Sequence, residues 1–152
     1  MKRIALGNGL HALVDDADYE RLSQHNWYAK REPTSRCHYA INESGGRGNR
    51  QSIRMHRMLL GNVEIDHRDH DGLNNQRSNL RVCTRAQNLA ARRRKLGKRL
   101  PKGVHTARKR FRAQIGFEGR TVYLGMFDTI EEAAAAYECA ARKYYGEFAC
   151  CG

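Results

Sequence analysis

Residues 55–89 read MHRMLLGNVEIDHRDHDGLNNQRSNLRVCTRAQNL, and the rest of the chain is organised around them. A short apolar run, Val63-Glu64-Ile65, leads into Asp66-His67. An Asx-rich loop follows (Asp69, Asp71, Asn74, Asn75, Asn79), then a second short run, Leu80-Arg81-Val82-Cys83. Two short β-capable runs around a loop of turn-forming Asn and Asp predict a hairpin. Thr84-Arg85-Ala86-Gln87 has capping-box spacing, in which Thr and Gln each satisfy an orphan backbone group, and it predicts a helix with Asn88 in its first turn. A hairpin and a helix that carry a carboxylate, an imidazole and an amide can hold one hard cation and one general base. Upstream, Met55 to Leu60 predicts a short helix ended by Gly61-Asn62. His56 on that helix is either a packing residue or a group behind the site, and it ranks below His67.

Other chemistries fit this segment less well. A calcium loop with Gly72 at its sixth position puts His67 first and Ser78 twelfth, where a bidentate Glu is needed. A zinc site built from His67, His70 and scattered cysteines lacks paired ligand spacing.

The segment resembles the HNH endonucleases, in the variant common among phage and intron-encoded homing enzymes. Met55-His56-Arg57, Asp66-His67, Asn75, Asn79-Leu80 and Asn88 carry the resemblance. It implies a ββα-metal core at about residues 56–95, with Asp66 and Asn88 as metal ligands and His67 as general base. Asn79 becomes the residue that bridges the loop and holds His67, and Asn75 helps close the same loop. Asn88 stands where the strict spelling has a second His, which favours a hard ion, Mg²⁺ or Mn²⁺. Arg68, Arg77, Arg81 and Arg85 are candidate phosphate contacts.

Upstream of the segment, residues 3–14 read as a hairpin around Gly7-Asn8-Gly9, and Asp15 or Asp16 can cap a helix running to about Leu22. Asn26-Trp27-Tyr28-Ala29, Cys37 to Ile41 and Gln51 to Arg54 follow as further strands, with a turn over Gly45 to Asn49. Trp27, Tyr28 and Tyr39 are read as the core of this small sheet rather than as a base-stacking set.

Downstream, the charge is unevenly placed. The formal net charge is +12, and 11 of the 28 Lys and Arg residues lie between Ala91 and Arg112, where there is no Asp or Glu. Such a strip, including Arg92, Arg93, Arg94 and Lys95, suits a phosphate backbone. Beyond Pro101 the pattern becomes three strands and a helix. Alternation in Arg110 to Phe117 puts Phe111, Ala113 and Ile115 on one face and Arg110, Arg112 and Gln114 on the other. Thr129-Ile130-Glu131-Glu132 is a second capping box, and Ala133, Ala136, Tyr137, Ala140, Ala141 and Tyr144 form the apolar stripe of a helix reaching about Tyr145.

Lys102-Gly103-Val104, Ala113-Gln114-Ile115, Tyr123 to Thr129, and Glu132-Ala133-Ala134 through Tyr137 to Gly146 resemble the DNA-binding domain of the plant APETALA2 and ethylene-response-factor proteins. The resemblance implies that the sheet, not the helix, enters the major groove, where Arg can pair with guanine edges. It points to Arg108, Arg110, Arg112, Gln114, Arg120 and Tyr123 as DNA contacts.

The expected architecture is α+β: a small N-terminal sheet and nuclease core in residues 1–90, a basic linker in 91–101, and a three-stranded sheet packed on one helix in 102–150. Double-stranded DNA is the expected partner, bound by a monomer or weak dimer and nicked at a phosphodiester bond. The rival readings are a DNA-binding regulator with an inactive site and a packaging protein acting through charge alone. No apolar run approaches the ~20 residues of a spanning helix, and the N-terminus, broken by Gly7-Asn8-Gly9 and Asp15, is not read as a secretory signal. Five cysteines without a CxxC pattern are read as reduced thiols in a cytoplasmic protein, and the nuclease resemblance implies that a phage or mobile element encodes it.

Overall fold

A computed structural model describes residues 1–33, 37–46, 49, 51–93, 97 and 99–150 of the chain. Arg94, Lys95, Cys151 and the turn residues Arg47 and Gly48 lie outside the described residues. The chain is α+β and divides into two compact units, Met1–Cys83 and Thr84–Gly152. The division falls ahead of the helix that opens at Thr84, rather than at the linker that the basic composition marks.

In the first unit, β1 (Lys2–Ala5) and β2 (His11–Val14) form an antiparallel hairpin, and α1 (Asp16–Ser23) follows. β3 (Tyr28–Arg31), β4 (His38–Ser44) and β5 (Gln51–Arg54) make an antiparallel sheet in the order β3-β4-β5. The chain passes directly from β5 into the short helix α2 (Met55–Leu60). β6 (Ile65–His67) and β7 (Leu80–Val82) form a second hairpin, with Asp66 opposite Arg81 and His67 opposite Leu80. One apolar core joins these pieces: Ile4, Leu6, Ala12 and Val14 from the first hairpin, Leu22, Trp27, Ala40, Met55 and Leu59, and Ile65, Leu73 and Leu80 from around the second. The alternating pattern of β2 buries Ala12 and Val14 on one face, which fixes its register. Trp27 lies in this core, and its indole N–H donates to the Leu22 carbonyl at 2.7 Å.

Asp15 occupies the N-cap position of α1, but its side chain does not cap the helix. It accepts instead from the backbone N–H of Arg77 at 2.8 Å and from Gln76 Nε2 at 3.3 Å, 62 and 61 residues along the chain. Asp18, buried on α1, accepts from Arg77 Nε at 2.7 Å and Nη2 at 2.9 Å. The Arg77 hydrogen bonds hold its carboxyl below the ordinary value of 3.8, against the upward push of burial. A carboxylate whose folded value is depressed stabilises the fold fully above its unfolded value, and that stability is lost as pH falls through the folded value. Asp18→Asn is therefore expected to destabilise the first unit by about 1–2 kcal/mol at neutral pH, moderated because Arg77 is half in solvent. Urea midpoints at neutral pH should separate the two proteins, and the gap should close as the pH falls through the lowered Asp18 value.

In the second unit, α3 (Arg85–Ala91) opens on a complete capping box: Thr84 Oγ1 accepts from Gln87 N, and the Gln87 side chain accepts from Thr84 N. At its other end, Lys102 Nζ donates to the carbonyls of Leu89, Ala90 and Arg92, satisfying groups that a helix end leaves unpaired. β8 (Val104–Ala107), β9 (Arg110–Phe117) and β10 (Arg120–Phe127) form an antiparallel sheet with β9 in the centre. α4 (Ile130–Tyr145) packs on it, opened by the Thr129–Glu132 capping box. Ala133, Tyr137, Ala140 and Ala141 are the buried positions of α4, and the three alanines let the helix lie close on Val104, Ala113 and Ile115. The Phe117 ring stacks on Tyr144 at 4.5 Å, and Tyr145 donates its hydroxyl to the Gly116 carbonyl. No disulfide joins the cysteines among the described residues.

Candidate active site and nucleic-acid face

The loop between β6 and β7 is built from its own side chains. Asp69 Oδ1 accepts from the backbone N–H of Asp71 at 2.8 Å, and Asp71 Oδ1 accepts from that of Leu73 at 3.0 Å. Each is an Asx turn, in which a short carboxylate substitutes for a backbone acceptor. Asn79 ties the loop across its base. Its Oδ1 accepts from Asp69 N at 3.1 Å, while its Nδ2 donates to Asp69 Oδ1 at 2.9 Å and to the Asn74 carbonyl at 2.8 Å. Burial pushes the Asp69 carboxyl up, but the bonds from Asp71, Asn74 and Asn79 and the nearby His67 bring it below the ordinary carboxylate value.

The loop is also fastened from outside. Leu13 N donates to the Leu73 carbonyl at 2.9 Å and Asn75 N to the Leu13 carbonyl at 2.8 Å, so the edge of β2 pairs with the loop. Together with Asp15 and Asp18, this makes the first hairpin and α1 a brace for the Asx loop. Composition gave no sign of that role, because Asp15 and Asp18 look like ordinary first-turn acids of α1.

His67 is buried at the end of β6, behind this loop. Its ring meets His56 edge-to-face at 5.1 Å and Tyr39 at 5.8 Å, and Tyr39 meets His56 at 5.7 Å. The Arg54 guanidinium lies over the Tyr39 ring at 4.9 Å. Gly72 lets the loop close on this wall: a Cβ there would stand 2.6 Å from the Tyr39 ring and closer still to the His38 carbonyl oxygen. Burial pushes His56 down to about 3, helped by His67, Arg54 and Arg57, so it is a neutral packing residue. Burial also holds His67 below its ordinary value, against the upward pulls of the Asn75 side chain, Asp69, Asp66 and Asp71. His67 Nε2 and Asn75 Oδ1 are both buried, and the Asn75 side chain acts on the His67 ring. A neutral imidazole is a proton acceptor at the ring nitrogen that carries no hydrogen. Tyr39 belongs to this wall, although the sequence placed it only in a sheet core.

Asp66 is buried on β6, and its carboxylate is paired. Arg81, directly opposite on β7, places Nη2 at 2.6 Å and Nε at 2.8 Å from Asp66 Oδ2. Arg81 and Arg77, two of the candidate phosphate contacts, are therefore held by carboxylates of the first unit. Among the described residues no three His, Cys, Asp or Glu side chains cluster as a ready metal cage. The carboxylates and amides of this segment are oxygen donors, the kind that suits a hard ion keeping most of its waters. Asn88 stands on α3 in the second unit, where its N–H donates to the Thr84 carbonyl at 2.9 Å.

The second unit has a free sheet face. Register places His105, Arg112 and Met126 in one row, Gln114 beside Tyr123 in the next, and Arg110 beside Ala107. Tyr123 is 59% exposed, large for an aromatic side chain with a core available to it. Arg110 pairs with Asp128 at 2.7 Å and donates to the Met126 carbonyl at 3.3 Å, so its guanidinium is set along the face rather than loose. Arg108 sits in the β8–β9 turn with φ 55°. Arg120 departs from the expected group: it pairs with Phe117, on the side of the sheet that α4 covers, at the strand's start. His105 and Met126 join the row with Arg112, a neighbourhood that only cross-strand register reveals. Arg92 and Arg93 are exposed at the end of α3.

Residues 59–90 match the HNH endonuclease family. The chain is also 28% identical, over 153 aligned residues covering 94% of it and 75% of the relative, to a protein of Acanthamoeba polyphaga mimivirus named as an uncharacterized HNH endonuclease. Both support an enzyme of the nuclease class. No helix among the described residues is long and apolar enough to cross a membrane.

Proposed function

We propose that the chain is a metal-dependent endonuclease that nicks double-stranded DNA in the manner of the homing-type HNH enzymes. The observation that carries this reading is His67, a buried imidazole held below its ordinary value by desolvation, behind a self-bonded Asx loop within the matched segment. Hydrolysis of a phosphodiester needs a water deprotonated for in-line attack, and the His67 imidazole takes that proton. Asn79 is the positioning residue, since it fixes the loop that covers His67. Asp66 and Asn88 are proposed as oxygen ligands on the strength of the resemblance. A bound Mg²⁺ or Mn²⁺ supplies Lewis-acid neutralisation of charge at the scissile phosphate and the leaving oxygen.

The proposed organisation is a nuclease module in residues 1–90, a basic linker in 91–101 and a DNA-holding module in 102–150, similar to the APETALA2 domain. In that module Arg108, Arg110, Arg112, Gln114 and Tyr123 offer cations, an amide and an aromatic ring to DNA, with Arg120 reaching a phosphate from the strand's start. Arg92 and Arg93 extend the basic track, as do Arg94 and Lys95. One base and one ion per chain cut one strand per encounter, so a monomer nicks, and a linear product needs a dimer or a second event. The site of action is the cytoplasm of a cell hosting a phage or mobile element.

Supercoiled plasmid incubated with Mg²⁺, Mn²⁺ or EDTA tests the reading. The expected result is open-circular DNA with either metal and none with EDTA. The Asp66–Arg81 pair favours one rival, a DNA-binding regulator whose site is inactive, because it leaves the proposed ligand already charge-balanced. Tight DNA binding with no cleavage under either metal establishes that rival.

A further inference from the structure

Asp66 and Arg81 face each other across the β6–β7 hairpin, with side chains only 10% and 11% exposed. An ion pair that deep costs desolvation to form, and taking away one partner leaves the other an uncompensated buried charge. Both guanidinium contacts fall on one carboxylate oxygen, Oδ2. Arg81 could have pointed its head out to solvent, as long cationic side chains do, but it folds back onto the carboxylate.

From this arrangement we infer that Arg81 is the resident counter-charge of Asp66: a positioning residue that fixes the carboxylate and keeps its hold on a free divalent cation weak. The inference rests on the proposed role of Asp66 as a metal ligand. A cation approaching Asp66 meets a carboxylate whose charge is balanced and a guanidinium that repels it. Within a few ångströms, and away from bulk water, such repulsion is a large effect. Removing the positive charge while keeping a hydrogen-bond donor opposite Asp66 therefore tightens binding of the ion. Keeping the charge on a different side chain does not.

Isothermal titration of the DNA-free full chain with Mn²⁺ tests this with a readout separate from cleavage, comparing wild type, Arg81→Gln, Arg81→Lys and Asp66→Asn. Expected is binding at least about tenfold tighter in Arg81→Gln than in wild type, with Arg81→Lys close to wild type and binding lost in Asp66→Asn. An Arg81→Gln chain that folds only with Mn²⁺ present, as judged by circular dichroism, also supports the inference, because the ion then supplies the missing charge. A folded Arg81→Gln chain with unchanged or weaker binding overturns it, as does one that folds in neither condition. If Asp66→Asn loses Mn²⁺ while Arg81→Gln matches wild type, the metal reading stands and the role of Arg81 falls. If wild type and all three variants take up no Mn²⁺, both fall.

Discussion

Replacing His67 with alanine is expected to slow plasmid nicking by about 10²–10⁴-fold, the contribution of a positioned general base. The loss should be local to chemistry because Arg112, Gln114 and Tyr123, the proposed DNA contacts, belong to a separate compact unit. DNA affinity, read by fluorescence anisotropy at fixed salt, should therefore stay within about twofold of wild type, as phosphate and groove contacts set it. The substitution also removes a ring packed on His56 and Tyr39, so some stability is lost as well. Asn79→Ala tests the loop without touching the ring. It leaves the imidazole in place but removes three hydrogen bonds that tie the loop, so it should lower both nicking and the melting temperature. If His67→Ala nicks at the wild-type rate, His67 is not the base and the loop chemistry must be reassigned.

The local devices of this fold are legible in the sequence, because each is written within a few residues. Thr84 with Gln87 and Thr129 with Glu132 read as capping boxes, and both close with reciprocal hydrogen bonds. The alternation in Arg110 to Phe117 gives the buried Ala113 and Ile115 directly. The Asx-rich run reads as a self-bonded loop for the same reason: Asp and Asn act on amides two residues away. What the sequence hides is who meets whom across long separations. Asp15 sits at an N-cap position and bonds Arg77 instead, a contact that exists only once the second hairpin lies against the first. Arg81 reads as a phosphate contact until register sets it opposite Asp66. Arg120 reads with the other arginines, but a two-residue turn after Phe117 gives it the parity of the covered side. The helix carrying Asn88 is contiguous with the motif in sequence, while its C-terminal carbonyls are held by Lys102 and by the Cys150 N–H. Compactness therefore groups it with the later residues.

Gly103→Ala is expected to destabilise the second unit by about 3–5 kcal/mol, at the top of the range for single substitutions. Gly103 enters β8 with φ +72°, a conformation that costs any residue with a Cβ. The added carbon would also overlap the edge of the Tyr137 ring at Cδ2 and Cε2 and stand 2.5 Å from the Gln114 carbonyl oxygen. Neither neighbour can yield cheaply. Tyr137 is buried between α4 and the sheet, and Gln114 is on the central strand, where its N–H donates to the Gly103 carbonyl at 2.9 Å. To make room, β8 must leave β9 or α4 must lift, and either move opens the core of Val104, Ala113 and Ala133. Thermal melting followed by circular dichroism should show part of the transition moved to lower temperature. The same loss should appear in function. A free face made of Arg112, Gln114 and Tyr123 exists only while β9 and β10 hold their register, so DNA affinity should fall at least tenfold above the new midpoint. Nicking should fall with it, because Asn88, the second proposed ligand, stands on α3 in this same unit. A Gly103→Ala chain that melts like wild type would show that the start of β8 shifts freely. The sheet face would then be a poor candidate for a rigid reader of DNA.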